Sequence, residues 1–334
     1  MIGPGFDGML MDGTVASYPG VITVLLPTTL DESPELPDGV RAVRYDPTVP
    51  LPDDALDAQV LVAWGNGSDQ LRDAAARLSG VRWVQSLAAG PDAVLDAGFA
   101  PDVVVTSGRG LHDGPVAEHT LALVLAVVRR LPDLVRAQDA HRWAGELGGL
   151  QPVRPADTLR SLDGARVAVW GFGSIAARLA PLLDALGAHV TGIATTAGER
   201  HGYPVVATDA LPDLLPRTDL LVSLLPATPA TRHAVDADVL RLLPSHAWVV
   251  NVGRGATLDE PALLDAIRSG GIAGAALDVF DVEPLPAGSP LWDEPRVLVS
   301  PHAAGGRPVG AGALVAENLA AFVTGGTLRN VVAR

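Results

Sequence analysis

The sequence predicts an α/β protein built from two doubly wound parallel sheets, and three observations carry that prediction. Short apolar runs that suit strands buried on both faces recur along most of the chain. Stretches of helical composition separate many of them, which is the strand–helix–strand pattern of a parallel sheet. The pattern is interrupted once, by an almost wholly apolar helix that begins at Val116, so one α/β half precedes that helix and another follows it. A length of 334 residues suits one large or two medium domains, and 48% apolar residues are ordinary for a packed core.

In the first half, residues 1–17 are glycine-rich and read as an irregular end. Residues 21–26 form a first strand, 40–45 a short second, and 58–64 a third that ends in Gly65-Asn66-Gly67. Residues 69–78 have helical composition. Residues 81–87 are a further strand running into Ala88-Ala89-Gly90-Pro91, and residues 103–106 follow as the next.

The apolar helix spans residues 116–131, and a more polar helix continues toward Trp143. A loop rich in glycine and proline, 145–162, leads into the buried run 167–170. Gly171-Phe172-Gly173 follows at once, and then a helix from Ser174. Strand, glycine turn and helix bring a pyrophosphate onto backbone N–H groups at a helix N-terminus, although tight turns of this kind also need glycine for purely structural reasons. Four later strands, 220–225, 247–252, 274–279 and 297–300, end respectively at Pro226, at Gly253-Arg254-Gly255, near Glu283 and at Pro301-His302. Residues 189–193 form the strand between them and the glycine turn.

Composition excludes several functions. A net charge of −14 argues against a nucleic-acid surface or a basic membrane patch. There is no cysteine, hence no disulfide, thiolate nucleophile or thiolate metal site. All 24 basic residues are arginine, which removes a lysine Schiff base and the lysine of a phosphate-binding loop. No metal site is expected. The first 20 residues lack a basic head with a long apolar run, and the apolar stretch 121–128 is too short to span a bilayer. A soluble, cytoplasmic protein is expected.

The polar candidates share one property: each lies just past the carboxyl end of a strand, the edge where open α/β sheets bind ligands. Arg254, between two glycines, is either a surface arginine in an ion pair or a fork that grips a carboxylate. Glu283 is either a solvated loop acid or the partner of an imidazolium. His302 follows a strand end directly, and histidine is the usual general acid–base near neutral pH. Three such residues at equivalent strand ends make a catalytic trio the better reading.

These segments together resemble the D-isomer-specific 2-hydroxyacid dehydrogenase family, of the glyoxylate/hydroxypyruvate reductase type. The resemblance rests on Gly171-Phe-Gly-Ser-Ile, Val250-Asn-Val-Gly-Arg-Gly, Ala276-Leu-Asp-Val-Phe-Asp-Val-Glu-Pro-Leu-Pro and Ser300-Pro-His302. Ser86-Leu-Ala-Ala-Gly-Pro-Asp, Val116-Ala-Glu-His and Glu317-Asn-Leu-Ala-Ala-Phe also fit, so it covers nearly the whole chain. It implies a Rossmann cofactor domain, 109–305, inserted in a flavodoxin-like substrate domain, 1–108 and 306–334. It implies reduction of a small 2-oxo acid to the D-2-hydroxy acid. The substrate carboxylate would lie on the amides of Ala89 and Gly90 and on Arg254, which also polarises the carbonyl. His302 would supply the proton, held by Glu283, while the nicotinamide gives a hydride to C2.

For the cofactor, the resemblance implies contacts from Gly171, Phe172, Gly173, Ser174 and Ile175, and from Leu225, Pro226, Thr231, Val252 and Gly253. Asp278 would hold the nicotinamide carboxamide. The chain departs from the pattern at Pro91, which has no N–H to offer the carboxylate, at Ala176 in place of a third glycine, and at Pro181 inside the following helix, where a bend or a local adjustment is expected. An acid that reads the ribose of NAD is missing at the end of the next strand. Thr195 and Thr196 stand there instead, with Arg200 and His201 beyond, so NADP(H) is slightly favoured over NAD(H), with Glu199 beside Arg200 counting against. Trp64, Gly65, Asn66 and Ala88 are the expected pocket walls. A homodimer through the 116–130 helix region is implied, with Trp143 either reaching a partner's site or, slightly better, packing within its own chain. His119 reads as structural. Two other readings compete: a phosphoglycerate dehydrogenase-like enzyme and a cofactor-sensing, corepressor-like binding protein.

Overall fold

The computed structural model describes residues 20–149 and 158–333. The glycine-rich stretch 1–17 and the middle of the 145–162 loop lie outside the described residues. The chain divides into two units, one formed by the residues through His112 together with those from Arg307 onward, the other by Asp113–Gly306.

The first unit holds β1 (Ile22–Pro27), β2 (Val40–Tyr45), β3 (Val60–Ala63), β4 (Trp83–Ser86) and β5 (Val104–Thr106). They pair in parallel in the order β2-β1-β3-β4-β5, the flavodoxin-like arrangement. Every residue of β1, β3, β4 and β5 is buried, which is why these segments are mostly apolar and do not alternate, Gln85 and Ser86 in β4 being buried polar exceptions. β2, at the edge, exposes Arg41 and Arg44. The helices α1 (Ser68–Arg77) and α2 (Asp92–Leu95) follow β3 and β4. A C-terminal helix, Ala311–Thr324, completes this core. Its fully buried Asn318 donates to Gln85 Oε1 (2.8 Å) and accepts from the Arg329 amide (2.7 Å). The tail beyond it bridges Val331 to Thr106, antiparallel to β5.

The second unit begins with α3 (Asp113–Val128) and α4 (Leu131–Asp139). Its strands are β6 (Arg166–Trp170), β7 (His189–Ala194), β8 (Gly198–Arg200), β9 (Tyr203–Ala207), β10 (Leu220–Ser223), β11 (Trp248–Asn251), β12 (Gly274–Leu277) and β13 (Val297–Val299). Their order is β13-β12-β11-β10-β6-β7-β9-β8, so the winding reverses between β6 and β10. That reversal opens the crevice at which a doubly wound sheet binds its ligand. Successive residues of β10 and β11 face opposite layers: Val222 and Val250 pack with α3 and with α5 (Ser174–Ala185). Leu221 and Val249 pack with α6 (Leu211–Leu214), α7 (Ala237–Leu242) and α8 (Glu260–Arg268).

Three features add to the sequence expectations. The 195–201 stretch is not all loop: Gly202, at φ +83°, turns β8 back antiparallel onto β9. β8, at the sheet edge, is short and polar, and β9, paired on both sides, is short and interrupted by Pro204, so both carry little periodic signal. α5 runs unbroken from Ser174 to Ala185 with Pro181 inside it. Trp143 is 96% exposed, so it does not pack among the described residues of its own chain. Among the described residues no helix is long and apolar enough to cross a membrane.

Candidate active site

β6 delivers the chain into the glycine turn at the reversal of the sheet. Gly171 has φ +97°, and a Cβ there would meet the Leu224 carbonyl at 2.8 Å. Gly253, after β11, presses on the same segment, where a Cβ would meet Leu225 O at 2.5 Å. Two glycines therefore let the strand-end loops after β6, β10 and β11 close on one another. Gly173 is the N-cap of α5 and carries no side-chain cap, so the first-turn N–H groups of Ser174 and Ile175 are left for a ligand. A tight turn leading to an uncapped helix N-terminus fits a pyrophosphate. Phe172 is different: its ring is buried against Gly192 and Tyr203, so only its backbone faces the turn. Leu225 and Val252 are nearly buried, while Pro226 is exposed. Thr231 closes its own loop, donating to Pro226 O at 2.6 Å.

The trio all belongs to this unit. His302 Nδ1 lies 2.7 Å from Glu283 Oε2. The other oxygen of Glu283 accepts the Phe280 amide (2.9 Å), which fixes the carboxylate plane. Nearly half of the His302 side chain is exposed, and its Nε2 has no protein partner among the described residues. Arg254 is held through its backbone: its carbonyl accepts from Thr257 Oγ1 (2.7 Å) and Asn251 Nδ2 (3.2 Å), both side chains of fully buried residues. Its Nη1 donates to Gly253 O (2.8 Å), and among the described residues no carboxylate pairs with it. The surface ion pair left open by the sequence is therefore absent there, and the fork retains donors for an anion.

Asp278 departs from the role the resemblance implies. It has no exposed surface. Oδ1 accepts from Ser300 Oγ (2.6 Å) and the Ala303 amide (2.9 Å), and Oδ2 from the Ala304 amide (3.0 Å). Its carbonyl accepts the His302 amide (2.8 Å). A carboxylate so enclosed holds the 300–304 turn and has no open face toward a carboxamide.

At the end of β7, Thr195 and Thr196 are exposed. Arg200, in β8, donates through Nη2 to Thr196 Oγ1 (2.8 Å) and to its carbonyl (3.2 Å). The arginine is thus anchored on Thr196, with guanidinium donors to spare. His201 follows in the turn at φ +55°.

In the first unit, Trp64, Gly65, Asn66, Ala88 and Gly90 line a cavity of about 200 Å³ at the ends of β3 and β4. Ala88 O accepts the Gly108 amide (2.7 Å), and Leu87 O is 2.7 Å from His112 Nε2, so the loop before Ala89 is fixed at two points. Among the described residues the Ala89 and Gly90 amides have no protein acceptor.

Sequence reasoning missed three supports. Asn251 and Thr257 position Arg254, and the signal was their place within or beside the segment that carries Arg254. His119, read as merely structural, lies 2.9 Å from Ser300 Oγ and 3.2 Å from Asp278 Oδ1. Only the fold shows which strand end meets that face of α3.

The comparisons with known proteins agree with this geometry. A family model described as D-isomer specific 2-hydroxyacid dehydrogenase, NAD binding domain, matches residues 121–304. A glyoxylate reductase of Aeropyrum pernix is 34% identical over 264 residues, covering 76% of this chain and 77% of that protein. A D-3-phosphoglycerate dehydrogenase of Mycobacterium leprae is 34% identical over 212 residues, 62% of this chain but 38% of that one. Among solved structures, a D-isomer specific 2-hydroxyacid dehydrogenase from Xanthobacter autotrophicus, in complex with NADPH and MES, superposes with a TM-score of 0.72 at 32% identity, covering 94% of this chain and 98% of that one. An NADPH-dependent glyoxylate/hydroxypyruvate reductase from Sinorhizobium meliloti, in complex with NADP and sulfate, gives 0.74 at 27% identity, with 93% and 98% covered.

Proposed function

The chain belongs to the D-isomer-specific 2-hydroxyacid dehydrogenase family and is a nicotinamide-dependent oxidoreductase, and from that premise we propose that it reduces a small 2-oxo acid of the glyoxylate or hydroxypyruvate type, with His302 as general acid. The observation that carries the reading is the Glu283–His302 pair at 2.7 Å at the carboxyl edge of the sheet, with the far ring nitrogen unpaired among the described residues. The reduced nicotinamide supplies the hydride. His302 gives its proton to the carbonyl oxygen as charge develops there, and Glu283 keeps the ring oriented and balances its charge. Arg254 grips the substrate carboxylate and stabilises the growing charge on the carbonyl oxygen. In the first unit, the amides of Ala89 and Gly90, without acceptors among the described residues, are donors of the kind a carboxylate takes. In the oxidative direction His302 acts as base.

The small cavity beside Ala88 and Gly90 has no arginine in its lining, which favours a small 2-oxo acid over a phosphorylated one. The Thr195, Thr196 and Arg200 cluster suits a 2′-phosphate, so NADP(H) is the proposed cofactor. Leu131, Leu134 and Val135 on α4 and the bare Trp143 are exposed apolar surface, which supports a homodimer seated across this region and residues 116–130. The test is steady-state turnover across a panel of 2-oxo acids with NADH and NADPH side by side. Consumption of reduced cofactor with glyoxylate or hydroxypyruvate is the expected result, and silence across the panel with both cofactors overturns it.

A further inference from the structure

We infer that His119 is a positioning residue for His302, acting through Ser300 and Asp278 on the turn that carries His302; the kinetic part of this inference rests on the His302 reading above. The turn needs holding. His302 stands at φ +51°, in the left-handed region that a non-glycine residue occupies at a cost. Asp278 counters that cost from beneath, receiving the amides of residues 302, 303 and 304 on its carbonyl and carboxylate oxygens. It also receives the Ser300 hydroxyl. All four donors belong to the turn itself.

His119 is the one donor to this cluster that comes from elsewhere in the fold, among the described residues. It projects from α3, whose neighbours Val116, Ala117, Thr120, Leu123 and Val124 are buried, so the helix is anchored independently of the turn. The Ser300 hydroxyl donates its proton to Asp278 Oδ1 at 2.6 Å, and its oxygen is then free to accept. That assigns the proton on His119 to Nε2, which lies 2.9 Å from Ser300 Oγ and 3.2 Å from Asp278 Oδ1. One N–H thus ties both members of the cluster to the helix. Without it, Ser300 loses its second side-chain partner and a carboxylate with no exposed surface loses, among the described residues, its one side-chain partner from outside the turn. The turn that aims His302 is then free to relax. Misplacement of a catalytic group by about 1 Å lowers turnover by about a hundredfold.

The test compares His119→Leu, which removes the donor, with His119→Gln, which keeps a side-chain N–H of similar reach. Amide hydrogen exchange of Ala303 and Ala304, followed in the protein without ligand, reads the clamp directly. In His119→Leu these amides exchange about tenfold faster or more while Ala275 and Ala276 in β12 are unchanged. Turnover of glyoxylate with NADPH falls about ten- to a hundredfold, with KM within about twofold, and His119→Gln recovers most of both losses. Unchanged exchange at 303 and 304 in His119→Leu overturns the clamp. Faster exchange with undiminished turnover overturns its positioning role. If His119→Leu does not fold, Ser300→Ala takes its place and must give the same two effects. His302→Asn runs in parallel. Persistent turnover in that variant overturns the His302 reading alone, because the exchange result is independent of activity.

Discussion

The two edges of the eight-stranded sheet carry the same chemistry and use it differently. At the amino edge, Asp219 precedes β10, accepts the Arg166 amide (2.7 Å) and lies 2.8 Å from His246 Nε2. Glu294, ahead of β13, pairs with Arg296 and Arg268. At the carboxyl edge, Glu283 pairs with His302 at nearly the same distance, 2.7 Å. Acid–imidazole pairs therefore stand at both edges. The difference lies in what is left unused. Asp219 ties together the starts of β6, β10 and β11. At the other edge His302 keeps a ring nitrogen, Arg254 keeps guanidinium donors, and α5 keeps its first-turn amides. Spare hydrogen-bonding capacity, held by a fixed backbone, separates a candidate site from a structural tie.

Substitutions can break or sharpen that contrast. The largest expected effect is at the carboxyl edge: His302→Ala lowers turnover by about 10²- to 10⁴-fold while cofactor affinity, measured by fluorescence titration, is unchanged. Equal loss of cofactor binding would make His302 a structural tie as well. Arg254→Gln comes next, lowering kcat/KM for the 2-oxo acid by about a hundredfold or more, with the melting temperature preserved. Arg200→Ala is smaller and selective: KM for NADPH rises about tenfold and KM for NADH does not move. An equal rise for both would remove Arg200 from the 2′-phosphate reading.

The smallest kinetic effect is expected at the amino edge. Asp219→Asn costs about 1–3 kcal/mol of stability by denaturant unfolding and leaves kcat/KM untouched. Burial pushes the Asp219 carboxyl up, but the Arg166 amide, His246 and the Arg166 guanidinium outweigh it and leave it below the ordinary value. A carboxyl lowered in the folded state adds stability that is full above the unfolded value, about 3.9, and is lost as pH falls through the folded one. The Asn variant therefore loses less stability than the parent on acidification across that window.

The division between legible and illegible residues follows the same physics. Gly171, Arg254, Glu283 and His302 could be read because each follows an apolar run that only a buried parallel strand explains. The β8–β9 hairpin could not, because a three-residue edge strand and a five-residue strand interrupted by Pro204 leave no period. The surroundings of Asp278 were also hidden, since the donors that enclose it lie in the 300–304 turn and one further partner, His119, lies on a distant helix. Trp143 was misjudged because packing inside the chain is the usual fate of tryptophan, and here the ring is bare.

The return of the C-terminal helix and tail to β4 and β5 bears on the order in which the chain acquires its structure. The second unit is one continuous segment, Asp113–Gly306, and all of it leaves the ribosome before Ala311–Thr324 does. The first unit is begun earlier yet finished later, because Asn318 must still arrive to meet Gln85. The inserted unit thus has all its strands ahead of the last helix that its host needs.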